Sequence, residues 1–256
     1  MSEVSTVLTD DADGVLIITI NRPQAKNAVN RSVAEGVAAA LDRLDNDDAL
    51  GVGILTGAGG TFCAGMDLKA FVSGEFPAVE GRGFGGMTER SADKPLIAAV
   101  EGYALAGGCE LAIACDLIVA ADNAKFGIPE VKRGLVAAAG GLVRLPSQIP
   151  YRVAMELALT GEFMGADRAM AMGLINQLTA PGEALATARA LAAQIAENGP
   201  LAVKVSKAII KASRDWGDDE AFTKQHALTQ PVFTSEDAIE GATAFAEKRT
   251  PQWTGR

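Results

Sequence analysis

Residues 96–120 read LIAAVEGYALAGGCELAIACDLIVA and decide the fold class. Leu96–Val100 is a short apolar run of the kind that forms a buried strand, and Leu117–Ala120 is a second. The stretch between them, Tyr103–Cys115, predicts a helix that is opened by Ala106-Gly107-Gly108. A strand, a helix and a strand in this order favour an α/β fold.

The same alternation extends toward the N-terminus. Val15–Ile20 and Gly51–Thr56 are rich in apolar residues and predict two further strands. Between them, Ser32 is followed three residues later by Glu35, which matches a capping box and predicts that a helix begins at Ser32. Residues 72–93 are rich in glycine and predict a mobile loop with at most a short helix.

The pattern changes after Pro150, where helical periodicity dominates. The predicted helices are 152–159, 166–172, 184–196, 201–213 and 235–248. We therefore predict an α/β core over residues 1–195 and a helical C-terminal region over residues 196–256. No low-complexity linker separates the two, so they are expected to pack together.

Composition and charge argue against several classes of function. The chain has 256 residues, of which 48% are hydrophobic, and a formal net charge of −9. A field of this sign disfavours nucleic acids and anionic membrane surfaces, so neither is expected as a partner. The longest apolar stretch, residues 104–121, contains Glu110 and Asp116, and it therefore predicts a buried core rather than a membrane span.

Cysteine and histidine usage narrows the chemistry further. Three cysteines without zinc-knuckle spacing fit a reducing compartment, and residues 1–8 carry no export signal, so a cytoplasmic protein is expected. The single histidine, His226, lies in a polar stretch and is predicted to be a surface residue. One histidine argues against most metal sites and against a Ser–His–Asp triad, so no metal is expected.

Two glycine-containing segments can present backbone N–H groups to an anion. Gly107 and Gly108 open a predicted helix, whose first N–H groups have no internal partner and whose dipole favours negative charge. The segment 62–68 follows a strand and a turn, and it can expose the N–H of Met66. Close packing of helix on strand would also explain these glycines, and the residues alone leave both interpretations open.

Glu110 and Glu130 are the candidate acid–base pair. Glu110 lies one turn into an apolar helix, where a carboxylate is unfavourable unless it is paired or hydrogen-bonded. Glu130 follows the rigid turn at 126–129. Two carboxylates that share a pocket acquire different pKa values, so that one donates a proton while the other accepts one. The alternative is a dipole-favoured helix glutamate and an unrelated, exposed loop glutamate.

These segments together resemble the crotonase, or enoyl-CoA hydratase/isomerase, superfamily, and the similarity covers nearly the whole chain. It includes NRP at 21–23 with KNA at 26–28, FCAGMDL at 62–68, KPLIAAVEGYA at 94–104, GGCEL at 107–111, FGIPE at 126–130, GG at 140–141 with RL at 144–145, LTG at 159–161, AMGLI at 171–175 and FAEKR at 245–249. The resemblance implies an α/β spiral of ββα units, with a helical C-terminal region through which the chain forms a homotrimer or a dimer of trimers.

The resemblance also implies roles for individual residues. The backbone N–H groups of Met66 and Gly107 would hold the thioester oxygen, and Glu110 and Glu130 would transfer the protons of a water addition. The positions that match the family's substrate and coenzyme A contacts are Lys26, Ala28, Ala64, Asp67, Leu68, Lys69 and Lys248, the last of which would reach the CoA of a neighbouring subunit. No cofactor is implied, because coenzyme A is part of the acyl-CoA substrate.

The activity implied first is that of an enoyl-CoA hydratase, which adds water reversibly to a 2-enoyl-CoA to give a 3-hydroxyacyl-CoA. Alternatives within the superfamily are a carnitinyl-CoA dehydratase, whose C-terminal residues are also similar, and a Δ3-Δ2-enoyl-CoA isomerase. A non-catalytic CoA-thioester or RNA-binding member is the alternative of another class, and the net charge of −9 disfavours the RNA form. Val136–Gly141 departs from the hydratase pattern by added alanines, so the resemblance does not imply an acyl-chain length.

Overall fold

The computed structural model describes residues 5–256, and its largest element is a six-stranded sheet. Residues 1–4, which are part of the segment expected to carry no export signal, lie outside the described residues. The strands are Val7–Ala12 (β1), Val15–Ile20 (β2), Val52–Gly57 (β3), Ala78–Val79 (β4), Gly83–Phe84 (β5), Leu96–Val100 (β6), Tyr103–Leu105 (β7), Leu117–Ala121 (β8), Lys125–Gly127 (β9), Met164–Gly165 (β10) and Gln177–Thr179 (β11).

The six-stranded sheet has the order β1-β2-β3-β6-β8-β11. β1 pairs antiparallel with β2, and all the other neighbouring pairs are parallel. Every residue of β6 is buried, and so is nearly every residue of β2. This burial follows from the apolar sequences of the strands, because a parallel sheet is covered on both faces. The strands predicted in these four central positions are confirmed, with ends that differ by at most one residue.

Ten α-helices accompany the sheets in the described part of the chain. They are Arg31–Asn46 (α1), Leu68–Val72 (α2), Gly107–Ala114 (α3), Gly141–Gln148 (α4), Tyr151–Thr160 (α5), Ala166–Ala171 (α6), Ala184–Ala196 (α7), Pro200–Ala212 (α8), Ala221–Phe233 (α9) and Glu236–Glu247 (α10).

The two faces of the large sheet are covered by different helices. Alternate residues of a strand point to opposite faces, so Leu16 and Ile18 belong to the core cluster that contains α1, whereas Ile17 belongs to the cluster that contains α7. The buried face of α7 consists of Ala184, Ala188 and Ala192, whose small side chains allow close approach to the sheet. The predicted helix over residues 184–196 is therefore confirmed at both ends.

A second sheet of three strands, β10-β9-β7, adjoins α3. Its strand β7 occupies Tyr103–Leu105, so the prediction of one helix over Tyr103–Cys115 is wrong for its first residues. The chain turns sharply at Ala106 and only then becomes helical at Gly107. Three residues of strand are too short to show a period of two, and tertiary pairing with β9 decides their conformation.

Two other local predictions also need correction. The N-cap of α1 is Asn30, whose side chain accepts a hydrogen bond from Val33 N at 3.1 Å, and not Ser32. The hydroxyl of Ser32 is instead 2.7 Å from that of Thr6 on the neighbouring β1 segment. Residues 72–93 contain the β4–β5 hairpin, and much of the stretch after it is buried, including Met87, so this segment is packed and not simply a loop.

The C-terminal helices pack on the core through polar contacts. On α8, the ammonium of Lys207 donates hydrogen bonds to Asp116 at 2.6 Å and to the carbonyl oxygen of Lys94 at 2.8 Å. These contacts join α8 to the core, whereas the division into a core over residues 1–195 and a C-terminal region over residues 196–256 stays a prediction. None of the helices in the described part of the chain combines the length and apolar composition of a membrane span.

Candidate active site

The N–H groups of Met66 and Gly107 lie in two adjoining segments. A methyl group built on Gly65 would lie 2.8 Å from the Cβ of Ala106 and 3.2 Å from the nitrogen of Gly107, so the two segments are in close contact. Within residues 5–256, neither Met66 N nor Gly107 N donates a hydrogen bond to another protein group. Both donors are therefore free to bind an oxygen atom of a ligand, as an oxyanion hole requires, and their joint role stays a prediction.

Strand pairing and a strained residue fix this geometry. Cys63 N donates to Tyr103 O at 2.8 Å, and Leu105 N donates to Cys63 O at 3.0 Å, which binds the 62–68 segment to β7. Ala106 then adopts φ 52° and ψ −129°, a conformation that is rare for a residue with a side chain. This turn places Gly107 at the first position of α3, where its N–H has no helical acceptor.

Glu110 lies one turn further along α3 and is 3% exposed. Its Oε1 atom accepts hydrogen bonds from Ala139 N and from Gly141 N, both at 2.8 Å. Burial raises the pKa of Glu110, and the two amides and the charge of Arg144 partly oppose that effect. The hydrogen bonds fix one carboxylate oxygen, so the other oxygen, Oε2, is the one available to accept a proton.

Glu130 is the second residue of a short 3-10 helix, Pro129–Arg133. Its Oε2 atom is buried and has no hydrogen-bond partner among the described residues. Burial raises the pKa of Glu130 to about 7, and the charge of Glu110 acts in the same direction. The charges of both glutamates also raise the pKa of the Cys109 thiol. The charge of Glu110 thus acts on Glu130, and the role of the two residues as an acid–base pair stays a prediction.

Three of the residues predicted to contact CoA lie in loops that touch each other beside Met66. Lys26 has a left-handed backbone with φ 50°, and its exposed ammonium lies 5.2 Å from the centre of the Tyr103 ring. Ala64 N donates to Lys26 O at 3.0 Å, and Ala28 lies next to Val29, which forms a bridge with Met66. Lys26, Ala28 and Ala64 are thus brought together with Met66.

Asp67, Leu68 and Lys69 continue directly from Met66 into α2. The carboxylate of Asp67 caps this helix by accepting from Lys69 N at 3.1 Å, and it also binds the guanidinium of Arg22 at 2.9 Å. Arg22 and two backbone amides lower the pKa of Asp67 despite its partial burial. The side chain of Asp67 therefore maintains the shape of this segment, whereas Leu68 and Lys69 are exposed.

Lys248 is separate from this group. It follows α10 with φ 56° and lines a groove of about 610 Å³ together with Glu197, Arg249 and Trp253. The structure places it near the end of α7 rather than beside Met66 or Glu110. The predicted roles of Lys248 and of the other CoA contacts stay predictions.

The remaining candidate groups are the thiols and the histidine. Cys63, Cys109 and Cys115 are buried and free. Burial raises the pKa of Cys63 and of Cys109 to about 12. His226 is exposed on α9, as predicted. In residues 5–256, no group of three or more His, Cys, Asp or Glu side chains is arranged to hold a metal ion.

Sequence reasoning missed the groups that surround Glu110. The amides of Ala139 and Gly141 come from the segment that precedes α4, and Arg144 lies in the first turn of that helix. The pair of glycines at 140–141 was a signal for a special backbone at this point, but nothing in the sequence connected it to a glutamate thirty residues earlier.

Comparison with known proteins identifies the family to which this site belongs. The sequence model of the enoyl-CoA hydratase/isomerase family matches residues 10–256. The chain belongs to this family. The predicted crotonase-type α/β fold is therefore confirmed, and family membership implies an acyl-CoA substrate. The predicted trimerisation of its helical C-terminal region stays a prediction.

Individual members of the enoyl-CoA hydratase/isomerase family resemble the chain over almost its full length. The crystal structure of an enoyl-CoA hydratase from Mycobacterium tuberculosis H37Rv shares 63% identity and a TM-score of 0.97, covering 98% of this chain and 100% of that one. A carnitinyl-CoA dehydratase from Proteus mirabilis strain HI4320 is 42% identical over 94% of this chain and 95% of its own length. The structure of a carnitinyl-CoA dehydratase from Mycobacterium avium 104 shares 44% identity and a TM-score of 0.79, covering 99% of this chain and 100% of that one.

Proposed function

We propose that the chain catalyses the reversible addition of water to a 2-enoyl-CoA thioester, giving a 3-hydroxyacyl-CoA. The observation that carries this proposal is the pair of different carboxyl groups beside two free amides. Glu110 is held as a hydrogen-bonded carboxylate by two backbone N–H groups. Glu130 has a buried, unpartnered oxygen and a pKa raised to about 7, so it can exchange a proton near neutral pH.

The amides act on the thioester carbonyl. Met66 N and Gly107 N would donate hydrogen bonds to this oxygen and stabilise the negative charge that develops there as the enolate forms. Such donors lower the barrier by about 3–4 kcal/mol each in other acyl-transfer enzymes. They also withdraw electrons from the conjugated double bond, so the β-carbon becomes susceptible to attack by water.

The glutamates divide the two proton transfers. Oε2 of Glu110 accepts a proton from water as the water oxygen forms a bond with the β-carbon, and the electron pair of the double bond moves into the enolate. Protonated Glu130 then delivers its proton to the α-carbon, and the carbonyl reforms. The raised pKa of Glu130 supports its role as the acid, and the two amides on Glu110 support its role as the base. Dehydration is the reverse sequence.

A carnitinyl-CoA dehydratase is the second candidate, supported by the 42% identity to the Proteus mirabilis relative of that name. Its reaction uses the same water chemistry on a substrate whose β-substituent carries a trimethylammonium group. The structure of the enoyl-CoA hydratase from Mycobacterium tuberculosis H37Rv, however, shares 63% identity with the chain. This higher identity favours the 2-enoyl-CoA without the trimethylammonium group as the first candidate substrate.

The decisive experiment compares variants of the two glutamates in the hydration of crotonyl-CoA, followed by loss of absorbance of the conjugated thioester. We expect Glu110→Gln and Glu130→Gln each to lower kcat by about 10²–10⁴-fold. Glu156→Gln is the matched control, because Glu156 lies on the surface in an ion pair with Arg168. A wild-type protein without hydratase activity, or a Glu110→Gln variant with full activity, contradicts the proposal.

The same assay separates the alternatives. A wild-type protein that prefers the trimethylammonium-bearing 2-enoyl-CoA by more than tenfold in kcat/KM is a carnitinyl-CoA dehydratase. A protein that moves the double bond of a 3-enoyl-CoA, and for which Glu110→Gln is silent while Glu130→Gln is inactive, is an isomerase.

Self-association is a further part of the proposal. The apolar side chains of Phe233, Ile239 and Phe245 on α9 and α10 are 79%, 67% and 88% exposed in the single chain. Large exposed apolar groups in one region are typical of an interface between proteins. We expect a trimer or a dimer of trimers by light scattering coupled to size exclusion, and a monomer would contradict this.

A further inference from the structure

Arg144 lies in the first turn of α4, directly after the segment that holds Glu110. This segment, residues 137–141, is called the 137–141 turn below. It contributes Ala139 N and Gly141 N to the Glu110 carboxylate. The turn has no regular hydrogen-bond ladder of its own, so contacts from outside the turn must keep these two N–H groups directed at the Glu110 carboxylate.

The guanidinium of Arg144 makes the connections that fix the turn. One nitrogen, Nη1, donates to Ala139 O at 3.3 Å. The other, Nη2, donates to the carbonyl oxygen of Thr88, in the buried segment that follows β5. Arg144 therefore joins the 137–141 turn to a second, well-packed part of the core.

Gly140 provides the space for this guanidinium. It has φ 107°, and a methyl group built on it would lie 1.8 Å from Nη1 of Arg144. Any other residue at position 140 would displace the guanidinium, and it would also be strained by the positive φ. Glycine at position 140 and arginine at position 144 are thus matched to one another.

The charge of Arg144 also acts on Glu110. The charged groups that act on Arg144 are Glu110 from α3 and Arg214 from the 3-10 helix after α8, and Arg144 in turn acts on Lys211 of α8. The charge of Glu110 in turn raises the pKa of Glu130. The guanidinium is half-buried, so its field on the carboxylate is only partly screened by water.

We propose that Arg144 is a positioning residue for the hydration reaction: its guanidinium fastens the 137–141 turn so that Ala139 N and Gly141 N hold Glu110 in the orientation in which Oε2 meets the substrate water. This inference rests on the proposed function for its kinetic consequence. Arg144 does not touch the reacting atoms and acts through Glu110 alone.

Two substitutions separate the charge of Arg144 from its hydrogen bonds. Arg144→Met removes both while keeping an unbranched side chain, and Arg144→Lys keeps the charge but cannot reach two carbonyl groups in the same way. Arg168→Met is the control, because Arg168 lies on the surface and pairs with Glu156. All variants are first compared with the wild type by thermal unfolding.

Kinetics test the positioning role. We expect Arg144→Met to lower kcat for crotonyl-CoA hydration by about 10–100-fold, because a displaced catalytic group loses its near-attack geometry. KM should change little, since Arg144 does not contact the substrate. Arg144→Lys should recover only part of kcat. A rise in KM alone, or an Arg144→Met variant as active as Arg168→Met, overturns the proposal.

A titration that does not depend on turnover distinguishes this proposal from the proposed function. With 13C-labelled glutamate side chains, the Glu110 resonance, assigned by its loss in Glu110→Gln, gives the titration midpoint of that carboxyl. The midpoint should rise in Arg144→Met and return toward the wild-type value in Arg144→Lys. If the wild type lacks hydratase activity, the proposed function fails, but this titration still tests whether Arg144 acts on Glu110. An unchanged midpoint in Arg144→Met shows that Arg144 does not act on the Glu110 carboxyl and overturns the inference. Should Arg144→Met not fold, Arg144→Lys must still lower kcat, and full activity would overturn the inference.

Discussion

Substituting Gly65 by alanine tests whether close contact of the two amide-bearing segments is needed for catalysis. Gly65 has φ 103°, and its missing methyl group would meet Ala106 Cβ at 2.8 Å, Leu105 O at 3.0 Å and Gly107 N at 3.2 Å. Two of these neighbours are backbone atoms, which cannot rotate away. A methyl group at this position must therefore move the turn at Ala106 away from Met66.

Two contributions to the effect can be separated. Placing an alanine at this positive φ costs about 1–3 kcal/mol of stability. Moving one amide out of range of the thioester oxygen adds about 2.7–4 kcal/mol to the barrier, which corresponds to a 10²–10³-fold loss of kcat. The loss of kcat is not expected if Met66 N and Gly107 N do not bind the same thioester oxygen.

Gly173→Ala is the matched control. Gly173 also has a positive φ of 79°, but no atom lies within 4 Å of the methyl group that alanine would add. We expect this variant to lose a similar amount of stability in urea unfolding and to keep its kcat in the crotonyl-CoA assay. A Gly65→Ala protein that is folded and retains the wild-type kcat would refute the oxyanion-hole argument.

Three further predictions concern stability. Gly108→Ala should lower the free energy of unfolding by about 3 kcal/mol or more, because the added methyl group would lie 2.1 Å from the carbonyl oxygen of Cys63 inside the core; a urea midpoint close to that of the wild type would contradict this. Because the pKa of Glu130 is raised from 4.5 to about 7 in the folded protein, its contribution to stability is complete below pH 4.5 and lost as the pH rises through 7. Glu130→Gln should therefore raise the free energy of unfolding more at pH 8 than at pH 5, and equal effects at both pH values would show that the shift is absent. Asp237→Ala should cost about 1–3 kcal/mol and expose the C-terminal residues to protease, since the buried carboxylate of Asp237 accepts from Thr254 N at 2.7 Å and from Gly255 N at 3.0 Å; unchanged proteolysis would argue against this role.

The central strands and the long helices could be predicted because burial determines their composition. Val15–Ile20 is apolar at nearly every position because both faces of β2 are covered, and the alanines of α7 recur every four residues because one face contacts the sheet. Such hydrophobic patterns can be read from a short stretch of sequence, although the burial that causes them is set by the whole fold.

The errors arose where a distant contact overrides a local pattern. Ser32 resembles a cap, but the helix begins after Asn30, and the Ser32 hydroxyl is paired with Thr6 across 26 positions of sequence. Tyr103–Leu105 is a strand because β9 pairs with it. The same limit applies to the site: Glu110 and Glu130 were predicted from their residue type and the family resemblance, whereas Arg144 was missed because its contacts depend on the carbonyl of Thr88.

The reactivity of the buried thiols can be used to measure local unfolding of the protein. Alkylating reagents attack the thiolate, and burial keeps the pKa values of Cys63 and Cys109 near 12, so both are unreactive until their surroundings separate. Cys63 belongs to the segment that carries Met66 N, and its sulfur accepts a hydrogen bond from Gly65 N at 3.4 Å. Modification by iodoacetamide, resolved residue by residue by mass spectrometry, would therefore reveal whether the 62–68 segment detaches by itself or only when the whole domain unfolds.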